Sequence, residues 1–202
     1  WYRAGVPYTD LMADCPDLLA LAAETAGTRR FRYRDREADP FAEPERLTLA
    51  EAFTRFAGID LLATISPTGE TDRDGLAAAV SEAGLRVAPD DTWADLFSRV
   101  LVARVEPHLG IPDDPRVAER FELYACGVEL ANAFGELTDP ASLRRRFAGE
   151  MAEKLRVYGE TYPIDEDFFA AQAVMPDASG IALGFDRLAM LACGANRIDD
   201  VL

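Results

Sequence analysis

Apolar residues recur at helical spacing in several stretches of the chain, and residues that favour helix ends bound these stretches. From Asp10 to Ala26 the apolar positions follow a helical period, and Gly27 is a typical stop. Thr48 followed by Glu51 is the signature of a capping box. The spacing predicts helices at about 10–26, 48–57, 73–84, 91–107, 140–158 and 165–175, and a further amphipathic helix with Arg187 at its head.

Alternating apolar and polar residues predict strands at about 119–126, 127–134 and 180–184, and a short strand around Phe31 and Tyr33. A tight turn from Ala125 to Val128, containing Gly127, would join two of these strands as antiparallel neighbours. The prediction is an α+β fold, with an antiparallel sheet flanked by helices and a helical insert at about 46–110. At 202 residues, we expect a single domain.

Three carboxylates, those of Glu122, Glu129 and Glu136, are predicted to share one face of the sheet with Asn132. Magnesium prefers one or two carboxylates together with substrate phosphates, so Glu122 and Glu129 are candidate metal ligands. Asn132 and Glu136 could hold an ammonium group, with the Phe134 ring as a wall. The alternative is that each glutamate is a solvated residue on an exposed sheet face.

Small residues follow later, where Gly180, Ala182 and Gly184 leave one side of a strand almost bare. A bare strand lets an adenine ring or a ribose lie against the backbone, although close packing of strand and helix would explain the same residues. Arg187 could bind a terminal phosphate from the start of its helix. Its alternative role is a surface salt bridge with Asp186 or Asp199.

The net charge of −15 argues against broad, nonspecific binding to nucleic acid. Cys15, Cys126 and Cys193 lie far apart in sequence, which favours free thiols in a reducing compartment and predicts a cytoplasmic protein. With His108 the only histidine, histidine-based metal or triad chemistry is disfavoured. No apolar run reaches membrane-spanning length. Positive charge at Arg144–Arg146 indicates a solvated helix face or a contact with an acidic partner.

Three segments together carry a resemblance to a known family: Arg120–Tyr124, Gly127–Asp139 and Gly180–Leu188. They resemble the catalytic half of the class II lysyl-tRNA synthetases and, more closely, the short branch of that family that attaches β-lysine to a lysine of elongation factor P. The resemblance extends to Trp1–Arg3, Met175–Gly180 and Ile198–Leu202, and it is weakest in the helical insert.

The resemblance implies roles for individual residues. Gly180, Gly184 and Arg187 match the third class II signature, whose arginine contacts ATP phosphate and is the catalytic residue implied here. Glu122 and Glu129 match glutamates that bind Mg²⁺, and Glu129, Leu130 and Gly184 would border ATP. The positions that match residues holding the lysine substrate are Tyr2, Asn132, Phe134, Glu136 and Ala182. Ala182 stands where tRNA-charging relatives usually have glycine and the branch that modifies elongation factor P has alanine.

Relatives also carry a first and a second signature upstream of the position that matches Trp1, and we expect these to belong to a longer polypeptide. A further apolar strand of the relatives has no counterpart at Gly110–Ile111, where we expect an interruption of the sequence. The family implies a homodimer.

The leading hypothesis is an enzyme that uses ATP and Mg²⁺ to activate lysine or β-lysine as an aminoacyl-adenylate and passes it to elongation factor P. The net negative charge of the chain and the alanine at 182 make tRNA the less favoured acceptor. A lysyl-tRNA synthetase is therefore the first alternative. A catalytically inactive fragment that binds lysine or a partner is the second.

Overall fold

The computed structural model describes residues 1–106 and 120–202. The strands are β1 (Tyr2–Ala4), β2 (Phe31–Tyr33), β3 (Arg36–Ala38), β4 (Arg120–Ala125), β5 (Val128–Gly135) and β6 (Ala178–Leu183). The α-helices are α1 (Tyr8–Ala26), α2 (Leu49–Ala57), α3 (Arg73–Glu82), α4 (Trp93–Val100), α5 (Pro140–Tyr158), α6 (Glu166–Gln172) and α7 (Phe185–Cys193). Short helical turns follow at Leu62–Thr64, Leu101–Val105 and Ile198–Asp200.

Helix ends follow the capping residues that the sequence supplies. Gly27 ends α1 in the left-handed conformation. Thr48 and Glu51 form the predicted capping box at the start of α2. Asp165 accepts a hydrogen bond from the Phe168 amide and begins α6. The predicted helices are therefore present, and apart from the one predicted at 91–107 their ends are displaced by up to three residues.

The main sheet has the strand order β1-β6-β5-β4, and every pairing is antiparallel. Cys126 and Gly127 join β4 to β5, both at positive φ (53° and 73°), as a two-residue hairpin turn requires. This confirms the predicted α+β fold with an antiparallel sheet. One face of the sheet is buried against α1 and α7, and its core residues include Phe121, Ala133 and Ile181. The other face remains available for polar side chains.

Two strands of the structure were not predicted from the sequence. Residues Tyr2–Ala4 are all exposed and show no alternation, yet they form β1 because their backbone pairs with the edge of β6. Arg36–Ala38, for which the sequence predicted no strand, pairs with β2 in a separate hairpin. In both cases pairing with another strand, distant in sequence for β1 and adjacent for β3, determines the strand rather than a local alternation.

Residues 47–105 bury their own cluster of apolar side chains, which includes Phe53, Leu76 and Leu96. The helix predicted for 91–107 is α-helical only to Val100 and continues as a π-helix over Leu101–Val105. A widened turn brings residues five apart onto one face, and Val100 and Val105 are both fully buried. Burial of Val105 explains this departure from the prediction. The interruption expected at Gly110–Ile111 lies outside the described residues.

Cys15, Cys126 and Cys193 are free thiols, as predicted. Burial raises the pKa of the Cys15 thiol to about 11, which keeps it protonated and unreactive near neutral pH. Within residues 1–106 and 120–202, none of the helices has the length and apolarity needed to cross a membrane.

Candidate functional site

Polar side chains line up in rows across the open face of the sheet. The strand register places Tyr2, Gly180, Phe134 and Arg120 in one row across all four strands. A second row contains Ala182, Asn132 and Glu122. Tyr124 and Glu129 pair in a third row. The structure thus brings most of the residues singled out in the sequence onto one surface.

An extra residue in β5, Leu130, is what puts Glu129 on this surface. Asn132 and Glu129 are three positions apart, so strict alternation would send their side chains to opposite faces. The register shifts between Leu123, which pairs with Ala131, and Tyr124, which pairs with Glu129. Leu130 is the unpaired residue of this bulge and is buried in the core. The bulge thereby turns Glu129 toward the face that carries Glu122.

Glu122 is held by two donors that the sequence analysis did not single out. One oxygen of its carboxylate accepts from the Arg120 guanidinium, and the other accepts from the Tyr124 hydroxyl at 2.9 Å. Arg120 also donates to Oδ1 of Asn132 at 3.1 Å and lies 5.3 Å from the centre of the Phe134 ring. Residues 120, 122 and 124 alternate along β4 and so face the same side of the sheet. This alternation is the sequence signal that could have identified Arg120 and Tyr124 as neighbours of Glu122.

Arg187 reaches back from the first turn of α7 to the bulge. Its guanidinium donates to the main-chain oxygen of Glu129 at 2.9 Å and lies 3.6 Å from the carboxylate of the same residue. The Gly184 amide donates to the main-chain oxygen of Leu130 at 2.8 Å. The alternative pairing of Arg187 with Asp186 or Asp199 is not observed, since Asp199 pairs with Arg197. The start of α7 and the bulge therefore fix each other.

Gly180 lies where two predicted substrate-binding side chains meet. A Cβ atom at this position would be 2.5 Å from the Tyr2 ring and 2.6 Å from the Glu136 carboxylate, closer than real Cβ atoms approach. Glu136 itself is anchored by its amide, which donates to the Ala178 oxygen at 2.9 Å. Glycine at 180 thus lets the ring and the carboxylate converge on one spot.

The surroundings of Gly184 and Ala182 differ from those of Gly180. A Cβ at 184 would meet its nearest neighbours at 3.4–3.7 Å, which is ordinary contact, and the backbone φ of −74° suits any residue. Gly184 caps α7 rather than extending β6, which ends at Leu183. Packing therefore does not require glycine at 184. Ala182 is exposed, and its methyl group is on the open face opposite Asn132.

A pocket of about 450 Å³ adjoins Glu129 and Arg187. Its size is in the range of small-molecule sites. Its lining comprises Tyr33, Glu106, Tyr124, Gly127, Val128, Glu129, Arg187, Met190, Asn196, Arg197 and Ile198. No group of three acidic, histidine or cysteine side chains close enough to hold a metal occurs among the described residues. Glu122 and Glu129, on the open face, remain the two carboxylates that are candidates for a cation.

Tyr124 provides a spectroscopic test of this geometry. Burial, and then the hydrogen bond to Glu122, raise the pKa of its phenol far above the usual value near 10. The contribution of this shift to stability is fully present below the unfolded-state pKa near 10 and is lost as pH rises from there through the folded-state pKa. We expect the absorbance change of phenolate formation between pH 9 and 11 to be the same in wild type and Tyr124→Phe. A titrating phenol near pH 10 that is present only in the wild type would contradict the hydrogen bond.

The family model for class II tRNA synthetases (D, K and N) matches residues 97–202. The chain belongs to this family. The match contains β4, β5, β6 and α7, and every site residue predicted from the sequence except Tyr2 lies within it. The open face with the Glu129 bulge and the Arg187 helix is therefore a class II synthetase surface.

Two kinds of relative are similar to the whole chain. The lysine–tRNA ligase of Dehalococcoides mccartyi is 34% identical over 223 residues, and the chain spans 43% of its length. The elongation factor P–(R)-β-lysine ligase of Proteus mirabilis is 35% identical over 225 residues, with 62% of its length spanned. That of Vibrio cholerae is 34% identical over 208 residues, again with 62% spanned. The chain thus corresponds to about half of these relatives, and both groups are similar to the same extent.

Proposed function

We propose that the protein is an ATP-dependent ligase that activates lysine or β-lysine as the aminoacyl-adenylate and transfers it to a lysine of elongation factor P. In the first step an oxygen of the amino-acid carboxylate attacks the α-phosphorus of ATP, and pyrophosphate leaves. In the second, an acceptor amine attacks the activated carbonyl and AMP leaves. The observation that carries this proposal is the single sheet face on which Glu122, Glu129, Arg187 and the Tyr2–Glu136 pair meet.

The nucleotide end of the proposed site is the bulge and the start of α7. Glu129, Leu130 and Gly184 would border ATP, and Arg187 would contact its phosphate. Arg187 is half exposed, with its charge directed at the bulge, so it can exchange the Glu129 carboxylate for a phosphate oxygen. A guanidinium there stabilises negative charge that develops as pyrophosphate leaves.

Glu122 and Glu129 are the residues that would hold Mg²⁺. Their chemistry fits this ion, which takes one or two carboxylates and completes its shell with phosphate oxygens and water. Bound magnesium would neutralise phosphate charge. Because Arg120 and Tyr124 already occupy the oxygens of Glu122, a cation would compete with Arg120 for that carboxylate.

The amino-acid end of the proposed site is formed by the row that contains Tyr2, Gly180 and Phe134. The neighbouring side chains of this end are those of Asn132, Glu136 and Ala182. The carboxylate of Glu136 would face the amines of the substrate, and the Phe134 ring would lie against its side chain. Asn132 is held by Arg120 through its oxygen, which leaves its amide N–H groups free to donate. The methyl group of Ala182, opposite Asn132, would narrow the space for the substrate at the amino-acid end of the site and so affect which amino acid fits.

A lysine–tRNA ligase is the second candidate, because relatives with that name are as similar as those that act on elongation factor P. Ala182 favours the first candidate. The proposed homodimer and the cytoplasmic location stay predictions.

The test is made on the full-length protein in two stages. Lysine-dependent exchange of pyrophosphate into ATP measures activation, and transfer of labelled lysine or β-lysine to purified elongation factor P measures the second step. We expect both, with transfer to lysine tRNA at least ten times slower. Exchange without transfer to elongation factor P, accompanied by charging of tRNA, would establish the second candidate, and absence of exchange would refute both.

A further inference from the structure

The hairpin formed by β2 and β3 carries a concentration of positive charge that the proposed chemistry does not use. Five arginines lie within the eight residues 29–36: Arg29, Arg30, Arg32, Arg34 and Arg36. The whole chain has a net charge of −15, so this segment is locally opposite in sign to the molecule. Arginine is the residue of choice for binding carboxylates and phosphates through paired hydrogen bonds.

One side of the hairpin is buried and the other is open. Phe31 is fully buried, whereas Arg32 points outward with 68% of its side chain exposed. Arg32 pairs across the hairpin with Glu37, which also lies within 3.9 Å of Arg30. One carboxylate is thus shared by two guanidinium groups, and positive charge remains in excess on the open side.

Arg34 adds a further positive charge in the two-residue turn between β2 and β3, where Asp35 is its neighbour in sequence. The φ of Arg34 is 55°, in the left-handed region that glycine and asparagine adopt more readily. Its guanidinium lies 5.0 Å from the centre of the Tyr33 ring, and it has no ion-pair partner in the part of the chain that the structure describes. The hairpin turn accounts for the positive φ, and the absence of a carboxylate partner in the described part of the chain leaves the charge of Arg34 available for binding.

The hairpin borders the proposed active site. Tyr33 lines the same pocket as Glu129 and Arg187. The Arg36 guanidinium lies directly against Gly127, in the turn that joins β4 to β5. The side of the hairpin that carries Tyr33 and Arg36 therefore adjoins the proposed site of adenylate formation, and a macromolecule docked on the exposed arginines would be held next to that side.

We infer that three exposed arginines of this hairpin, Arg30, Arg32 and Arg34, form a docking surface for an acidic segment of the acceptor protein. The inference rests on the proposed function, in which that acceptor is elongation factor P. The basic surface is short, since its three arginines lie within five consecutive residues that include one residue of the hairpin turn. Acidic residues follow at once, at Asp39, Glu43 and Glu45. They would repel the extended phosphate backbone of an RNA, whereas a local acidic patch on a protein fits.

The test compares two double variants of the full-length protein. Arg32→Gln with Arg34→Gln removes two charges from the hairpin. The matched control, Arg145→Gln with Arg146→Gln, removes two exposed charges from α5 and changes the net charge equally. Fluorescence anisotropy with labelled elongation factor P measures the dissociation constant at 50 and 300 mM salt, and lysine-dependent pyrophosphate exchange is measured alongside.

We expect the hairpin variant to bind elongation factor P about 3- to 30-fold more weakly at 50 mM salt, and the control to bind within twofold of wild type. The difference should shrink at 300 mM salt, because exposed charges are screened. Arg34→Gly, which relieves the positive φ and removes the charge, should also weaken binding without lowering stability. Pyrophosphate exchange should be unchanged in every variant.

Equal affinity of wild type and the hairpin variant, or an effect confined to the α5 control, would overturn the inference. So would binding of lysine tRNA that the hairpin variant alone loses, because the surface would then serve RNA. Loss of exchange in the wild type would instead count against the proposed function, since exchange needs no acceptor.

Discussion

Glu129→Gln should lower lysine-dependent pyrophosphate exchange by about 10²- to 10³-fold, the usual cost of removing one group that stabilises charge in a transition state. The variant keeps the shape of the side chain but not its charge, so it removes one of the two carboxylates proposed to hold Mg²⁺. It also removes the partner that lies 3.6 Å from Arg187. Initial rates of exchange at saturating ATP and lysine measure this effect.

The fold of this variant should be intact, because the Glu129 side chain is 37% exposed and the contacts that secure the bulge are made by main-chain oxygens. Far-ultraviolet circular dichroism and the unfolding midpoint should therefore match wild type. Glu153→Gln, which alters an exposed glutamate paired with Arg156 on α5, is the control and should retain full exchange. Undiminished exchange in Glu129→Gln would exclude a role for this carboxylate in activation.

Local signals were sufficient for most of the fold. The helices begin or end at residues whose chemistry can be seen in the sequence, such as Gly27, Thr48 and Asp165. Positive φ at both Cys126 and Gly127 confirms the predicted tight turn between β4 and β5. These features depend on neighbours within a few residues, and so the sequence pattern contains them.

The bulge at Leu130 could not be predicted in this way. Alternation alone puts Glu129 out of phase with Asn132, and only the pairing of β5 with β4 and the contacts from α7 show that an extra residue restores a common face. Tyr2 is a similar case, because its strand exists only through pairing with β6. The candidate site thus depends in part on contacts between residues more than fifty positions apart, such as Arg187 with Glu129 and Tyr2 with Gly180, which leave no periodic signal.

The same long-range geometry makes Gly180→Ala the most selective probe of the amino-acid end of the site. A methyl group at 180 would overlap the Tyr2 ring and the Glu136 carboxylate, at 2.5 and 2.6 Å, so both must move apart. We expect the affinity for lysine to fall about 10- to 100-fold, in line with the cost of adding a methylene to a closely packed site. Isothermal titration of the full-length protein with lysine, in the presence of a non-hydrolysable ATP analogue, measures this change.

Stability should change little in Gly180→Ala, because Tyr2 is 69% exposed and the clashing atom of Glu136 is the end of a flexible side chain. Both groups can move into solvent without disturbing the core. Gly184→Ala is the matched control: its methyl group would have ordinary contacts, so lysine affinity should stay within about threefold of wild type. If lysine binds equally to both variants, the substrate does not lie between Tyr2 and Glu136. If only Gly180→Ala loses affinity while its unfolding midpoint is retained, the convergence of these two side chains on Gly180 is what forms the lysine site.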